Sequence, residues 1–181
     1  MKLMFASDIH GSIFYAEKMA KAYKDEKAEK LILLGDLLYH GPRNDLPKDY
    51  NPKAVITLLN SLKTEILAVR GNCEAEVDQM VLEFPVLADY STIFLDNKMF
   101  FITHGHTYNT SNPPNLKNGD FLIHGHTHIP TIEPQQEDYI YINPGSTTLP
   151  KNGSKNSYMV YENKKFTIKD FDGNIIMERE F

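Results

Sequence analysis

The chain has 181 residues, a net charge of −5 and a single cysteine, Cys73. This length suits one compact domain, so we expect a single domain over residues 1–181. Proteins that bind nucleic acid stably carry a basic face, and the acidic balance of this chain argues against that class. A lone cysteine cannot form an internal disulfide, no stretch reaches the roughly 18 apolar residues of a membrane span, and the first residues lack a secretory pattern. We therefore expect a cytoplasmic protein without a membrane segment.

The first half of the chain alternates strand and helix patterns. Apolar runs that end in a glycine or a polar residue predict three buried strands, at residues 2–6, 31–34 and 66–69. After the first strand, Ser12 can cap a helix, and a second helical pattern covers residues 55–62. A polar, proline-bearing loop over residues 40–52 precedes that second helix. Apolar strands that alternate with helices predict a parallel sheet covered on both faces.

The second half is rich in short strand patterns. They cover residues 92–95, 99–103, 121–123, 139–142, 157–161 and 166–168. The first two are joined by Asp96-Asn97, which predicts a hairpin turn. We expect this half to supply a second sheet that packs on the first. The chain shows no internal repeat or linker, so a β-sandwich flanked by helices is the expected architecture.

Polar side chains recur where these predicted strands end. They are Asp8, His10, Asp36, Asn72, His104, His126 and His128. In open α/β sheets, ligands bind at the carboxyl ends of the strands. Six of the seven are carboxylates or imidazoles, which are common metal ligands, and Asn72 adds an amide oxygen. Each motif alone is also typical of an ordinary turn or cap, but the ordered set at strand ends favours a metal site.

The spacing of these residues suggests how two metal ions could be held. In extended chain, residues two apart point to the same side, so Asp8 and His10 could reach one metal, and so in principle could His126 and His128. A single carboxylate can bridge two cations about 3.5–4 Å apart, and Asp36 stands alone at its strand end. Two divalent ions would leave a net positive centre that attracts a phosphate and lowers the pKa of a bound water to about 7.

The ordered motifs resemble the calcineurin-like metallophosphoesterase superfamily. The segments are KLMFASDIHGS, LGDLLYHGPRN, VRGNCEAEVDQM, THGH, HGHTH and NPGS, and they cover most of the chain. The resemblance implies a four-layer α/β/β/α sandwich. It also implies that one metal takes Asp8, His10, Asp36 and His128, and that the other takes Asp36, Asn72, His104 and His126. The implied cofactor is two divalent ions, foremost Mn with Fe, Zn, Ni or Mg as alternatives.

The implied activity is hydrolysis of small phosphodiesters by in-line attack of a metal-bridging hydroxide, with Asp36, Asn72 and His106 as catalytic candidates. Two departures from the superfamily pattern are informative. Many members have a histidine after Gly-Asn, thought to protonate the leaving group, and this chain has Cys73 there. Protein phosphatases of the superfamily follow Gly-Asp with a valine-aspartate-arginine-glycine run, and this chain has Leu37-Leu38-Tyr39-His40-Gly41 instead, which argues against a protein phosphatase.

Further candidates lie beside these motifs. His40, Arg43 and Asn44 could face the phosphate, and we predict Arg43 and His40 as substrate contacts because arginine binds phosphate well. His124 flanks a predicted ligand. The turn at residues 143–146 could support the site, but a purely structural role is the favoured interpretation. Two other functions stay open, a phosphomonoesterase or nucleotidase and a non-catalytic scaffold of the same fold. Arg43 and Arg70 are the cations near the motifs, which tilts the choice toward diesters. Self-association through an edge of the β-rich half also stays open.

Overall fold

The computed structural model describes residues 1–135 and 139–181, which form a sandwich of two β-sheets. The elements in chain order are β1 (Leu3–Ala6), α1 (Ile13–Glu26), β2 (Lys30–Leu33), α2 (Pro52–Asn60), β3 (Ile66–Ala68), α3 (Glu76–Gln79), β4 (Tyr90–Leu95), β5 (Lys98–Thr103), β6 (Asp120–Ile123), β7 (Thr131–Gln135), β8 (Tyr139–Asn143), β9 (Ser157–Glu162), β10 (Lys165–Asp170) and β11 (Ile175–Glu180). Every predicted strand is present, and Ser12 caps α1 by accepting a hydrogen bond from Tyr15 N. No helix of the described residues is long and apolar enough to cross a membrane.

The first sheet is mixed, with strand order β11-β10-β9-β1-β2-β3. Strands β1, β2 and β3 are parallel, as predicted. The second half supplies a second sheet, as expected, but its last three strands join the first sheet, where β9 pairs antiparallel with β1 and is followed by β10 and β11. A short apolar run shows that a strand is buried but does not show which sheet it joins.

The second sheet has the order β4-β5-β6-β8-β7. The predicted hairpin between β4 and β5 is confirmed, and its two turn residues, Asp96 and Asn97, have φ of 53° and 62°, as a type I′ turn requires. Strands β5, β6 and β8 are parallel, so their carboxyl ends lie at one edge. The edge strand β7 had no clear sequence signal because Pro134 lies within it, and proline is tolerated only at sheet edges.

Two apolar layers hold the sandwich together. Along β1, Leu3 and Phe5 point to the layer between the sheets, whereas Met4 and Ala6 point to the layer under α1 and α2. Each large side chain buried in this way contributes about 1.5–3 kcal/mol. On the outer face of the second sheet, Tyr108 and Leu116 of a loop pack on buried side chains such as Phe101. The predicted α/β sandwich is therefore confirmed, with this loop covering the second sheet.

Candidate metal centre

The polar residues predicted from the sequence lie in the turns that follow the strands. Five of them have positive φ: Asp8 (58°), His10 (49°), Asp36 (56°), His126 (66°) and His128 (62°). This conformation is uncommon outside glycine and costs about 1–3 kcal/mol for each residue. The premise of an extended chain from Asp8 to His10 is therefore wrong. Left-handed turns, rather than alternation along a strand, aim these side chains at the site.

Close approach of two loops places Asp36 beside the loop after β3. Gly35 has a φ of 94°, and a Cβ atom there would lie 2.4 Å from Gly71 N. A Cβ atom on Gly71 would in turn lie 2.2 Å from Asp36 Oδ1. Any larger residue would push the loops after β2 and β3 apart, so the two glycines are needed for the geometry of the site.

A first group of ligand-type atoms surrounds Asp8. His128 Nε2 lies 3.1 Å and His10 Nε2 3.7 Å from Asp8 Oδ1, and the two imidazole nitrogens are 3.4 Å apart. His10 Nε2 also lies 3.7 Å from Asp36 Oδ2. Asp8, His10 and His128 are all buried, and their ligand atoms fall within 4.8 Å of one another.

A second group lies on the other side of Asp36. His104 Nε2 is 3.6 Å from Asp36 Oδ1 and 3.0 Å from Asn72 Oδ1. His126 Nδ1 is 3.2 Å from the same His104 nitrogen. His126 therefore faces this group, whereas His128 faces the first one. The two oxygens of Asp36 point to different groups.

Backbone carbonyl groups orient three of the four histidines. In each case the Nδ1–H group of the imidazole donates to a carbonyl oxygen. The pairs are His10 to Tyr39 O (2.8 Å), His104 to Leu34 O (2.7 Å) and His128 to Leu149 O (2.5 Å). These bonds place the proton on Nδ1 and leave the lone pair of each Nε2 facing the site. Such orientation by a second hydrogen bond is the usual arrangement for a histidine that binds a metal.

The charges of the site fit a cation. Asp8 Oδ1 is buried and accepts no hydrogen bond from any described residue, although His128 Nε2 lies close to it. Because His128 already donates through Nδ1, two lone-pair atoms face each other, and a cation between them would satisfy both. Burial raises the pKa of Asp8, but the neighbouring histidines in their protonated form, His128 first, lower it by more, so the pKa lies well below its usual range.

Glu74 is a site residue that the motifs did not identify. Its buried carboxylate accepts hydrogen bonds from Asp36 N (2.8 Å), Leu37 N (2.7 Å) and Gly71 N (2.5 Å). Burial and the charge of Asp36 raise the pKa of Glu74 to about 7, against the opposing effect of the three backbone donors. The carboxylate thus holds the loops after β2 and β3 together. Its position two residues after Asn72 was the available sequence signal.

The turn at residues 143–146, for which the sequence favoured a purely structural role, makes hydrogen bonds to the loops of the site. The buried amide of Asn143 lies 2.9 Å from Gly125 O and 3.0 Å from Thr127 Oγ1, on both sides of His126. Ser146 Oγ donates to Asp8 O over 3.1 Å. These bonds connect the end of β8 to the two loops that carry Asp8, His10, His126 and His128.

The remaining candidates lie around these groups. The backbone N–H of Cys73 donates to Asp36 Oδ1 (2.9 Å), and burial together with the charge of Asp36 raises the pKa of its thiol. His106 is exposed at the surface, and its ring centre is 5.4 Å from that of His104. Partial desolvation by its neighbours and the charge of His104 lower its pKa. His124 is buried and stacks on Tyr141, and burial lowers its pKa to about 4, so it is neutral.

A cavity of about 530 Å³ opens over the two groups. Two cationic residues, Arg43 and Lys151, line this cavity. The ligand-type residues in its lining are His10, Asp36, Asn72, His126 and His128. His40 is not among the lining residues; its ring packs edge-on against Tyr39 and Tyr50 and so supports the loop that carries Arg43. Lys151 was missed because it lies outside the motifs, in the loop before β9.

Comparison with known proteins identifies the family. The model of the calcineurin-like phosphoesterase superfamily domain matches residues 1–165. The chain belongs to this superfamily. The resemblance stated from the motifs is thereby confirmed, and the buried Asp and His groups described above are those of a calcineurin-like phosphoesterase domain.

Two curated relatives of this superfamily are named phosphodiesterases. Phosphodiesterase YfcE of Escherichia coli (strain K12) is 47% identical over 122 residues, which cover 67% of this chain and 66% of that protein's length. Phosphodiesterase MJ0936 of Methanocaldococcus jannaschii is 29% identical over 112 residues, which cover 59% of this chain and 60% of that protein.

Solved structures show the same calcineurin-like fold. The structure of YfcE, described as a phosphoesterase from E. coli, matches with a TM-score of 0.96 and 43% identity over 99% of this chain and 98% of that one. Vacuolar protein sorting 29 from Cryptosporidium parvum matches with a TM-score of 0.60 and 12% identity over 99% and 98%. The second likeness shows the fold alone.

Proposed function

We propose that this chain is a metal-dependent phosphodiesterase that hydrolyses small phosphodiesters at a binuclear site. The observation that carries the proposal is the division of Asp36, whose Oδ2 faces His10 and whose Oδ1 faces His104. One metal position would take Asp8, His10, Asp36 and His128, and the other would take Asp36, Asn72, His104 and His126. The curated relatives named phosphodiesterases support the reaction type.

The chain's own residues prepare this site for a phosphoester. Two divalent ions, when bound, would lower the pKa of a water and stabilise charge on the phosphate oxygens. The carbonyl groups of Tyr39, Leu34 and Leu149 hold three imidazoles in the tautomer that offers Nε2. Asn72 offers an oxygen without adding negative charge, which preserves attraction for an anionic substrate. Arg43, on the cavity wall, adds a positive charge that attracts an anionic substrate.

We further propose manganese as the metal, because the mixed imidazole, carboxylate and amide ligands suit it; Fe, Zn, Ni and Mg are the alternatives. The net charge of −5 supports a small phosphoester rather than nucleic acid as the partner. The lone thiol supports a cytoplasmic location. Self-association through a sheet edge stays a prediction.

His106 is our candidate for proton transfer to the leaving group. It lies beside the second group, with its ring centre 6.4 Å from that of His126. Partial burial and His104 lower the pKa of His106, so its protonated form is a stronger acid toward the leaving group. An aryl leaving group departs without such a proton. We therefore assign His106 to substrates with poor leaving groups.

The test combines metal analysis with turnover. Chelator-treated protein should lose hydrolysis of bis(4-nitrophenyl) phosphate and regain it with Mn, and this diester should be cleaved faster than 4-nitrophenyl phosphate. Faster cleavage of the monoester would favour the phosphomonoesterase alternative. No turnover of either ester in protein that binds metal would favour a scaffold.

Asp36→Asn is the decisive variant for the binuclear site. The amide can offer one oxygen but not two, so Mn stoichiometry should fall from two ions to one and kcat by more than about 100-fold. Elemental analysis and turnover of bis(4-nitrophenyl) phosphate measure both. Asp45→Asn, in an exposed position of the neighbouring loop, is the matched control. Two bound ions and full activity in Asp36→Asn would refute the shared carboxylate.

A further inference from the structure

Two cationic side chains face the cavity from separate loops. Arg43 lies between β2 and α2, and Lys151 lies between β8 and β9; both line the cavity with His10, His126 and His128. Within the described part of the chain, neither forms an ion pair with a carboxylate. Six other lysines do: Lys2, Lys21, Lys63, Lys155, Lys165 and Lys169. Cations without a protein partner in a cavity attract an anionic ligand.

The backbone of Lys151 is fixed relative to the metal centre. Its N–H donates to His128 O over 3.2 Å, and its carbonyl accepts from Ser154 N (3.0 Å) and Ser154 Oγ (2.7 Å). Asn152 and Gly153, with φ of 53° and 71°, close this turn. These bonds hold Lys151 beside His128, on the wall of the cavity.

The charge balance shows that these cations exceed the need of a simple diester. Two divalent ions would be opposed by Asp8, Asp36 and Glu74, together with a hydroxide and the single charge of a diester. That set carries one net negative charge with Glu74 ionised and none with Glu74 protonated, and Arg43 with Lys151 adds two positive charges. At least one positive charge is therefore left without a partner in either case.

We propose that Arg43 and Lys151 form a second anion subsite, which binds an anionic group on the part of the substrate beyond the scissile phosphate. The substrate class is then a phosphodiester with a further carboxylate or phosphate group. Arginine can bind either group through two parallel hydrogen bonds, and lysine acts as a point charge. This subsite rests on the proposed function, because it presumes that the scissile phosphate lies over the metal positions.

The test compares two chromogenic diesters that differ by one carboxylate, 4-carboxyphenyl 4-nitrophenyl phosphate and phenyl 4-nitrophenyl phosphate. Both release 4-nitrophenolate, so their chemistry is matched. The Mn-loaded protein should have a kcat/KM about tenfold higher for the carboxylated ester, because one hydrogen bond between charged groups contributes about this much to binding. The difference should lie in KM rather than in kcat. Lys151→Ala should abolish this preference, Lys151→Arg should keep it, and Lys53→Ala on α2 is the control. Calorimetry with 4-carboxyphenyl phosphate and phenyl phosphate measures the same preference as binding.

The outcomes separate this subsite from the proposed function. An equal loss for both esters in Lys151→Ala would place Lys151 at the scissile phosphate and overturn the subsite, as would no loss at all. If the wild-type chain cleaved neither ester, the proposed function would fail, and the calorimetry would decide the subsite alone. Tighter binding of the carboxylated phosphate that depends on Lys151 supports the subsite, and equal binding of the two phosphates overturns it.

Discussion

The metal-free protein should lose stability as the pH rises and Glu74 becomes ionised, and Glu74→Gln should remove this dependence on pH. The pKa of Glu74 is raised to about 7 by burial and by the charge of Asp36, whereas an unfolded glutamate titrates near about 4.3. The folded state therefore binds this proton more tightly, and stability falls as pH rises through the window between these values. The difference of between two and three pKa units corresponds to roughly 3–4 kcal/mol in the free energy of unfolding.

Urea unfolding of chelator-treated protein from about pH 4 to about pH 8 measures this effect. The histidines titrate in both chains, so the wild-type value minus the variant value at each pH isolates Glu74. Glutamine leaves one of three backbone donors without an acceptor, which costs about 1–3 kcal/mol at every pH. Glu76→Gln, at an exposed position on α3, should leave the pH profile unchanged. A wild-type to Glu74→Gln difference that stays constant across the range would refute the reasoning.

Two more substitutions test the support of the site. Asn143→Ala removes a buried amide that contacts Gly125 O and accepts from Gly145 N, so we expect about 2–4 kcal/mol lower stability and weaker Mn binding. Urea unfolding and Mn titration measure these effects, and unchanged Mn affinity would contradict the supporting role. Cys73→Ser keeps the backbone bond to Asp36, and the raised pKa keeps the thiol neutral, so turnover should stay within about twofold. A tenfold loss of Mn affinity would show instead that Sγ is a ligand.

The location of the site could be predicted from the sequence because parallel strands bring their carboxyl ends to one edge. Asp8, Asp36 and Asn72 follow three such strands, and position in the chain alone places them near one another. The conformation of these residues could not be predicted. A strand pattern describes the chain up to its last paired residue, and the left-handed turns at Asp8 and Asp36 begin beyond it.

The residues missed from the sequence act through long-range contacts. Glu74 reaches back to the backbone of Asp36 and Leu37, and Lys151 is placed by a bond to His128, so neither role leaves a local pattern. Strand β9 was recognised as buried, but its pairing with β1 joins residues at opposite ends of the chain. Loops and sheet order depend on such pairings, which periodicity does not encode.

The seven ligand-type residues are divided between the two halves of the sandwich. Asp8, Asp36 and their neighbours follow strands of the first sheet, whereas His104, His126 and His128 follow strands of the second. An ion that binds residues from both sets joins the two layers at one end of the apolar interface. Metal binding is then thermodynamically linked to the packing of the two sheets. Each tenfold increase in ion concentration above the dissociation constant raises the free energy of unfolding by about 1.4 kcal/mol per ion.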